Sequence, residues 1–381
     1  MANQFDAIVI GAGAMGSAAA YYLSKRGQRV LLLEQFELDH RKGSSYGYSR
    51  IIRYSYDHPE YVELMKDTFP LWFALEAELG ETLYFKTGGI FFGPADDERL
   101  QATINSVRSS AVSHKMLDLD EAGQRFPQFR FGEGFNVLYQ PDSGFIAASK
   151  AVRGHIKLAR KFGAVIAENT AVTNIAIHSD SVEVAAGRER YSAANLIITA
   201  GSWAKSLLRE TGLELPLTVL RCQLNFMAPA NMNLYEAKRC PIWSAHVSKR
   251  FSNNVYGIPS HDGSGFKAAF HGGQAVRHHT EIDYTPDESN LEALRAFLRA
   301  HIPGLAIAPT RESRICLYTQ TPDEHFVVDA HPEHKHVVIG AGFSGHGFKF
   351  STMVGKMLTD IALDGATPHN DRLFKIRRFQ H

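Results

Sequence analysis

The chain has 381 residues, of which 44% are hydrophobic and 21% are charged, so it can bury a large core and is too long for one ordinary domain core. Its 41 Lys and Arg residues nearly balance its 40 Asp and Glu residues. A net charge this close to zero lacks the positive excess expected of a protein that binds nucleic acid or an anionic membrane, and it favours a small-molecule partner.

The first residues, MANQFDAIVIGAGAMG, begin polar and break into glycines after a short apolar run. A signal peptide would instead have a charged flank and a longer apolar segment. No apolar run approaches the length that spans a bilayer. We therefore expect a cytoplasmic protein with no membrane partner.

A strand, a glycine-rich turn and a helix open the chain. Residues 6–10, DAIVI, predict a buried parallel strand that leads into GAGAMG, where Gly11, Gly13 and Gly16 match the dinucleotide-binding fingerprint. SAAAYYLSKRG predicts a helix packed closely on a sheet, and RVLLLE predicts a second strand that ends at Glu34. These elements form a complete βαβ unit.

Each residue of this fingerprint has a physical task. Gly11 permits a tight turn, Gly13 lets the backbone approach a pyrophosphate, and Gly16 allows close helix packing. The helix N-terminus attracts phosphate charge, and Glu34 would accept hydrogen bonds from ribose hydroxyls. The acidic residue favours FAD or NAD over NADP without separating FAD from NAD; the alternative is a tight turn that binds no ligand.

The middle of the chain predicts further strands and no clean linker, so we expect domains that interleave along the sequence. SVEVAA and RERYSA predict a hairpin, and LIITAG predicts a buried strand that returns to the nucleotide-binding sheet. From residue 217 to about 320, a largely antiparallel sheet is predicted in LTVLRCQLNFM, NVYGIP, GFKAAFH and RICLYT, with a helix in ESNLEALRAFLRAHIP.

The cysteines Cys222, Cys240 and Cys316 are odd in number and lack a C-x-x-C pair, which disfavours both a disulfide framework and a zinc site. Strand periodicity alone favours a buried, inert thiol at Cys316. The histidines of HPEHKH and RHHT lie in polar stretches without a convincing third ligand. We expect solvated histidines there and no metal site.

The segment HKHVVIGAGFSGHGFKFSTMVGKMLTDIAL predicts a strand, a glycine-rich loop and a helix that belong to the nucleotide-binding sheet. Gly342 and Gly347 have the spacing of P-loop glycines, but Phe348 takes the lysine position, which disfavours an ATP site. A helix N-terminus near His346, followed by Lys349, would stabilise negative charge on a bound group. An ordinary glycine-rich turn is the alternative.

Five stretches together resemble the family of sarcosine oxidases and N-methyltryptophan oxidases: GAGAMGSAAAYYLSKRG, GSSYGYSRIIR, TGGIFFGP, RICLYTQTPDEHFVVD and GAGFSGHGFKFS. The second stretch is similar to the pipecolate oxidase branch. The resemblance implies an α/β fold, with a Rossmann-like FAD-binding domain interleaved with a mostly antiparallel substrate domain. It places residues 1–82, 147–216 and 321–381 in the first domain, and residues 83–146 and 217–320 in the second.

The resemblance implies bound FAD and oxidation of a secondary amino acid by hydride transfer from the carbon beside the amine to flavin N5. The imine product would hydrolyse, O2 would be reduced to H2O2, and the protein would be a monomer. The family's attachment motif falls on Cys316, which implies a thioether to the flavin 8α-methyl group. Lys267 in GFKAAFH matches a lysine beside the flavin that promotes O2 reduction; the residues alone favour a solvated edge-strand lysine.

Arg53 and Lys349 match positions that bind the substrate carboxylate, for which a guanidinium fork and a point charge are suited. Arg50 matches a residue over the flavin ring. Without the resemblance, Arg50 and Arg53 are typical of two helix-spaced surface charges.

Tyr256, His271 and Tyr318 match residues that line the substrate cavity, although His271 could equally be a core histidine. The remaining residues that we expect to contact the cofactor are Ser44, Gly345 and Gly347, together with Lys349, which would also offset negative charge on the reduced flavin. One departure concerns the substrate: the sarcosine and methyltryptophan branches have two histidines where this chain has Ser45 and Tyr46. Tyr46 is expected on the substrate side, so this change argues against sarcosine as the natural substrate and leaves a larger or cyclic secondary amine open.

Three other functions remain open at this point. The protein could be a flavin dehydrogenase that passes electrons to a quinone or a carrier protein, or an NAD-dependent dehydrogenase. It could also be a catalytically silent nucleotide-binding module.

Overall fold

A computed structural model describes residues 3–246, 254–277 and 281–379. The helices in these ranges are α1 (Ala14–Lys25), α2 (Pro59–Leu79), α3 (Glu98–Ser109), α4 (Leu119–Arg125), α5 (Ala148–Lys161), α6 (Ala204–Arg209), α7 (Glu288–His301), α8 (Pro303–Ala306) and α9 (Ser351–Asp364). The strands are β1 (Gln4–Ile10), β2 (Val30–Leu33), β3 (Ser49–Ile52), β4 (Tyr84–Lys86), β5 (Gly89–Pro94), β6 (Lys115–Leu117), β7 (Phe135–Gln140), β8 (Gly144–Ala147), β9 (Val165–Ala167), β10 (Val172–Ile177), β11 (Val182–Ala186), β12 (Glu189–Ile198), β13 (Thr218–Met227), β14 (Ile242–Ala245), β15 (Val255–Ile258), β16 (Phe266–Phe270), β17 (Gln274–Val276), β18 (Thr310–Gln320), β19 (Val327–Ala330) and β20 (Val337–Ala341).

The first sheet is built around β1. This strand pairs in parallel with β2 and β12, and parallel pairing extends from β2 to β9 and from β12 to β20. β10 and β11 form an antiparallel meander with the first part of β12, and β19 is antiparallel to β20. The predicted βαβ unit, the β11–β12 hairpin and the return of the C-terminal strand to this sheet are confirmed.

Both faces of the first sheet are buried. Ala7 and Val9 belong to an apolar cluster with α1, α2 and α9, whereas Ile8 and Ile10 belong to a second cluster on the opposite face. The near-continuous apolar run of β1 is therefore the pattern of a parallel strand covered on both sides. Helices α1 and α9 pack very closely, because a Cβ on Gly355 would lie 2.5 Å from the Cβ of Ala18.

The second sheet has the order β17-β13-β16-β15-β14-β5-β7-β6, with β18 also paired to β13. Its ladders are antiparallel except for β14 with β5. Helices α7 and α8 cover one face, where Trp243 and Phe297 stack with ring centroids 6.0 Å apart. The opposite face has a smaller apolar cluster that includes Cys316.

A third sheet, with the order β3-β8-β4, contributes β3 to the neighbourhood of both larger sheets. The first sheet takes its strands from three separate parts of the chain, which agrees with interleaving, while the exact domain boundaries stay a prediction. No helix in the described part of the chain is long and apolar enough to cross a membrane.

Candidate active site

A cavity of about 940 Å³ lies between the first sheet and the second. At one end it is lined by residues at the carboxyl ends of the parallel strands β1, β2, β12 and β20, which is where open α/β sheets bind ligands. At the other end it is lined by residues of β16 and β18 from the second sheet. The cavity therefore joins the glycine turn to the antiparallel sheet.

This cavity gathers almost all of the residues singled out in the sequence. Its lining includes the predicted cofactor residues Gly11, Gly13, Glu34, Ser44, Gly345 and Gly347. It also includes the predicted substrate residues Tyr46, Arg53, Tyr256, Tyr318 and Lys349. The predicted catalytic residues Arg50, Lys267 and His271, together with Cys316, complete the set. Gly16 lies behind the lining.

The glycine turn has no room for side chains. Gly11 has a φ of 96°, in the left-handed region that favours glycine. A Cβ on Gly13 would lie 2.9 Å from Ser45 Oγ, and a Cβ on Gly16 would collide with the carbonyl oxygen of Gly11. The turn thus exposes backbone to the cavity at Gly13 and presses α1 against β1 at Gly16.

The carboxylate of Glu34 organises this turn from the end of β2. It accepts hydrogen bonds from the backbone N–H of Ala12 at 2.8 Å and of Phe36 at 3.1 Å. His40 Nε2 lies 3.6 Å from Oε1, the oxygen that accepts from Phe36. Glu34 lines the cavity and is therefore next to the place where a ribose would lie, and it already fixes the loop that would face the pyrophosphate.

A serine loop connects α1 to Cys316. Ser45 Oγ accepts a hydrogen bond from the N–H of Ala14 at 2.9 Å, in the first turn of α1. Ser44 Oγ donates to the carbonyl oxygen of Leu317 at 2.5 Å, and Cys316 Sγ lies 3.9 Å from the carbonyl oxygen of Ser44. In the sequence, Ser45 stands out only as a difference from relatives, and no local pattern predicts this structural link.

Cys316 is a buried free thiol whose side chain reaches the cavity. It lies opposite Cys222 in the antiparallel register of β13 and β18, and Cys222 is also a free, buried thiol. Burial raises the pKa of Cys222. Cys222 does not line the cavity, so the two cysteines differ in access although they share one face of the sheet.

Lys267 is buried in the second sheet and faces the cavity. Its strand β16 lies between β13 and β15, so the alternative of a solvated edge-strand lysine is excluded. Phe266 and Ala268 pack on the opposite face with α7, as alternation predicts. The ammonium nitrogen lies 5.4 Å from the ring centroid of Tyr256. Burial, and next the charge of Arg50, lowers the pKa of Lys267 well below its usual value.

Arg50 lies on strand β3, so the interpretation of Arg50 and Arg53 as helix-spaced surface charges is wrong. The Arg50 guanidinium donates to the carbonyl oxygens of Ser44 and Tyr46, each at 2.8 Å. It also lies 5.7 Å from the ring centroid of Phe348. Backbone carbonyls therefore hold this charge at the cavity wall.

Lys349 is buried and Arg53 is partly buried, and neither cation forms an ion pair with a carboxylate of the described residues. Arg53 donates to the carbonyl oxygen of Ser55 and stacks on Tyr56, with its Cζ 4.9 Å from the ring centroid. Lys349 Nζ donates to Tyr56 Oη and to the carbonyl oxygen of His346, each at 2.8 Å. Burial lowers the pKa of Arg53 and of Lys349 because it disfavours their charged forms, and an anion bound beside them would offset that cost.

Three aromatic residues line the substrate end. The rings of His271 and Tyr318 are 5.5 Å apart, and those of His271 and Tyr256 are 6.3 Å apart. Burial lowers the pKa of His271 to about 3, so its imidazole is neutral near pH 7. His271 can thus accept or donate a hydrogen bond without adding charge.

Two expectations differ from the structure. His331 of HPEHKH is buried and stacks on His334 with ring centroids 4.9 Å apart, so solvation is wrong for this residue; its backbone N–H donates to the carbonyl oxygen of Val337 in β20. Helix α9 begins at Ser351, after a 3₁₀ turn over Phe348–Phe350, later than the predicted helix start near His346. His278 and His279 of RHHT lie outside the described residues.

The site fits a dinucleotide cofactor. A side-chain-free turn, a carboxylate at the end of β2 and a long cavity between two sheets suit the pyrophosphate, the ribose and the extended shape of FAD. Buried cations at the far end suit an anionic substrate and a cofactor that gains negative charge. The fold and the site together define a dinucleotide-dependent oxidoreductase.

The particular family follows from comparison with known proteins. The family model of FAD dependent oxidoreductases matches residues 6–361, and the chain belongs to this family, in the group of the sarcosine and N-methyltryptophan oxidases. The monomeric sarcosine oxidase of Bacillus sp. (strain B-0618) is 37% identical over 99% of this chain and 97% of its own length. The human peroxisomal sarcosine oxidase is 36% identical over 98% of this chain and 96% of its own length. The resemblance found in the motifs is confirmed, and the protein is an FAD-dependent amine oxidoreductase.

Solved structures with the same fold are more distant in sequence. NikD, an amino acid oxidase of nikkomycin biosynthesis, superposes with a TM-score of 0.87 at 23% identity, over 98% of this chain and 97% of its own. L-proline dehydrogenase from P. horikoshii has the same TM-score at 22% identity, over 99% of this chain and 98% of its own. They confirm the α/β fold.

Proposed function

We propose that this protein is an FAD-dependent oxidase of a secondary amino acid, either N-methylated or cyclic, with O2 as the electron acceptor. The observation that carries this proposal is the pair of cations without a carboxylate partner, the partly buried Arg53 and the buried Lys349, which share a cavity with the glycine turn and Lys267. A buried charge without a carboxylate partner is costly, and an incoming carboxylate offsets that cost.

The chain's own residues would prepare the amine. Arg53 and Lys349 bind the carboxylate, and their positive charge disfavours a second positive charge on the amine nitrogen nearby. His271 is neutral and can hold the uncharged amine by a hydrogen bond. The aromatic rings of Tyr256 and Tyr318 shape the space around the carbon that is oxidised.

Bound FAD would supply the redox chemistry, in which a hydride would leave the carbon beside the amine and its electron pair would reduce O2, with two protons, to H2O2. The remaining imine is hydrolysed by water. Lys267 would stabilise negative charge as it forms on oxygen. An anion beside Lys267 would also raise the pKa of this lysine, which burial and the charge of Arg50 lower, and so would favour its ammonium form.

We further propose that Cys316 is the point of covalent attachment of FAD. Its sulfur reaches the cavity while that of Cys222 does not. The relatives named as sarcosine oxidases and N-methyl-L-tryptophan oxidase support an N-substituted amino acid as the substrate. Tyr46, at the cavity wall beside Arg314, supports a substrate other than sarcosine itself.

The experiment that tests this function is anaerobic bleaching of the purified flavoprotein by a panel of secondary amino acids. The panel contains sarcosine, pipecolate, proline and N-methyltryptophan, each paired with the amine that lacks the carboxylate. We expect at least one amino acid to bleach the flavin, and its decarboxylated partner to do so far more slowly. Bleaching by no member would contradict the proposal.

Turnover in air tests the electron acceptor. We expect about one H2O2 per amine oxidised, because the substrate's electron pair reduces one O2. Bleaching by substrate without peroxide, and turnover only with a quinone, would instead identify a flavin dehydrogenase.

A further inference from the structure

Tyr56 contacts both of the cations that we assign to the substrate carboxylate. Its side chain is buried, its ring face lies 4.9 Å from Arg53 Cζ, and its hydroxyl oxygen lies 2.8 Å from Lys349 Nζ. Nothing in the sequence singled out this tyrosine. One phenol therefore connects two charges that come from distant parts of the chain.

The hydrogen bonds around His346 fix the direction of this connection. His346 Nε2 lies 3.0 Å from the carbonyl oxygen of Glu324, and a carbonyl only accepts, so Nε2 carries the hydrogen. Burial, and next the charge of Lys349, lowers the pKa of His346 well below its usual value. The ring is neutral, so Nδ1 has no hydrogen and accepts.

Tyr56 is then the donor to His346. Its hydroxyl lies 3.2 Å from His346 Nδ1 and 3.4 Å from the carbonyl oxygen of the same residue, and either acceptor takes the single phenol hydrogen. The lone pairs of the Tyr56 oxygen are left for Lys349. The order of donors is Lys349 to Tyr56 to His346 to Glu324.

Lys349 has three ammonium hydrogens, and the protein engages two of them. One goes to Tyr56 Oη and one to the carbonyl oxygen of His346, each at 2.8 Å. Lys349 lines the cavity and forms no ion pair with a carboxylate of the described residues. The third N–H is thereby directed to the cavity, on a side chain that would otherwise sample many rotamers.

We propose that Tyr56 and His346 are positioning residues that orient Lys349 for the carboxylate of the bound amino acid. This inference rests on the proposed function, because it assumes that an amino acid carboxylate binds there. Neither residue needs to touch the reacting carbon. The competing explanation is plain packing, since Tyr56 also stacks on Tyr61 with ring centroids 5.0 Å apart.

The first test uses Tyr56→Phe, which removes the hydroxyl and keeps the ring under Arg53 and on Tyr61. The probe is 2-furoate, a carboxylate without an oxidisable amine, measured by calorimetry on the holoenzyme. We expect the Kd of 2-furoate and the KM of the substrate to rise about tenfold, because Lys349 loses the charge-assisted hydrogen bond to Tyr56 that orients it. The kcat should stay within about twofold of wild type. The matched control is Tyr84→Phe, which loses a phenol bonded to Asp142 outside the cavity and should change neither constant.

A double-mutant cycle separates positioning from packing. In a Lys349→Met background, Tyr56→Phe should have no further effect on the Kd of 2-furoate, because the hydroxyl then has no ammonium group to orient. His346→Asn keeps an acceptor near the Nδ1 position and should retain most of the affinity. His346→Leu leaves only the backbone carbonyl oxygen of residue 346 to accept from Tyr56, so the Kd should rise part of the way to the value of Tyr56→Phe.

The outcomes separate this inference from the proposed function. If wild type does not bind 2-furoate, or Lys349→Met does not weaken its binding, the carboxylate site itself is wrong. If Lys349→Met weakens binding but Tyr56→Phe does not, or if Tyr56→Phe weakens binding equally in both backgrounds, positioning by Tyr56 is overturned.

Discussion

The ammonium nitrogen of Lys267 donates to the backbone carbonyl oxygen of Ser49 at 3.3 Å. This contact joins β16 of the second sheet to β3 of the small sheet, across the wall of the cavity. The neighbouring residue Arg50 bonds to the serine loop through the carbonyl oxygens of Ser44 and Tyr46. Two cations are thus held close together by neutral carbonyl groups, which leaves their charge available to a ligand.

Replacing Lys267 with Met should separate the two halves of the catalytic cycle. Reduction of the flavin by substrate without O2 should stay within a few-fold of wild type, while reoxidation by O2 should slow at least about 100-fold through loss of a preorganised charge. Stopped-flow absorbance measures both steps. Lys356→Met, on α9 beside Asp360, is the matched control for losing a lysine away from the cavity. Unchanged oxygen kinetics in Lys267→Met would refute the role.

Cys316→Ser should release the flavin from the polypeptide. Wild-type protein precipitated with acid should stay yellow, because a thioether survives denaturation, whereas the Cys316→Ser precipitate should be colourless with free FAD in the supernatant. The control is Cys222→Ser, which changes the cysteine on β13 that lies opposite Cys316 on β18, and its acid precipitate should stay yellow. A colourless wild-type precipitate would contradict covalent attachment and would indicate that Cys316 is only a buried, packed thiol.

The affinity for a carboxylate should fall as pH rises. Burial and the charge of Arg53 lower the pKa of Lys349, so in the free protein the ammonium form is lost at a lower pH than for an ordinary lysine. The bound anion favours that form, so affinity is greatest below the free-state pKa and decreases above it, up to about tenfold per pH unit. Calorimetric titration with 2-furoate, which stays ionised from about pH 6 to 10, measures this dependence.

The variant Arg53→Met tests whether the titration of Lys349 causes the fall of carboxylate affinity with rising pH. It removes one of the two effects that lower the pKa of Lys349, so the decline in affinity should begin at a higher pH than in wild type, although affinity at low pH is weaker. Lys349→Met should abolish this limb of the profile. A decline that persists in Lys349→Met would assign it to another group.

Gly16→Ala should destabilise the protein and impair flavin uptake. The added Cβ would collide with the carbonyl oxygen of Gly11, so α1 must move away from β1, and we expect a loss of more than about 2 kcal/mol in the free energy of unfolding. Gly123→Ala, in α4 with open space around it, is the control and should change stability by no more than about 1 kcal/mol. Urea unfolding of both variants measures the difference, and equal stabilities would contradict the close packing.

Local patterns predicted the fold well where neighbours in sequence determine the structure. The strand, turn and helix around Gly11, the β11–β12 hairpin and the helix α7 were all predicted from periodicity and turn chemistry. Helix α9 starts later than expected because a 3₁₀ turn at Phe348–Phe350 precedes it, and a 3₁₀ turn has no distinct sequence pattern. The expectation of a solvated His331 failed because its burial depends on packing in the folded chain, which the polar residues around it in the sequence do not reveal.

The site was less accessible to local reasoning. Periodicity alone favoured a solvated Lys267 and a helical Arg50, since nothing nearby in sequence reveals that β16 is central or that β3 pairs with β8. The family motifs identified both residues. Tyr56 was missed because its partner Lys349 is 293 positions away, and such a contact leaves no local signal.

The order of the strands in the first sheet bears on how the protein is made. β1 is synthesised first, yet it pairs with β12, and β12 pairs in turn with β20 near residue 340. The segment after β20 supplies Lys349, and helix α9, which follows it, packs closely on α1. A ribosome must therefore release almost the whole chain before the cavity can close, and a nascent or truncated chain that lacks α9 would expose the apolar surface of α1 to chaperones in place of binding FAD.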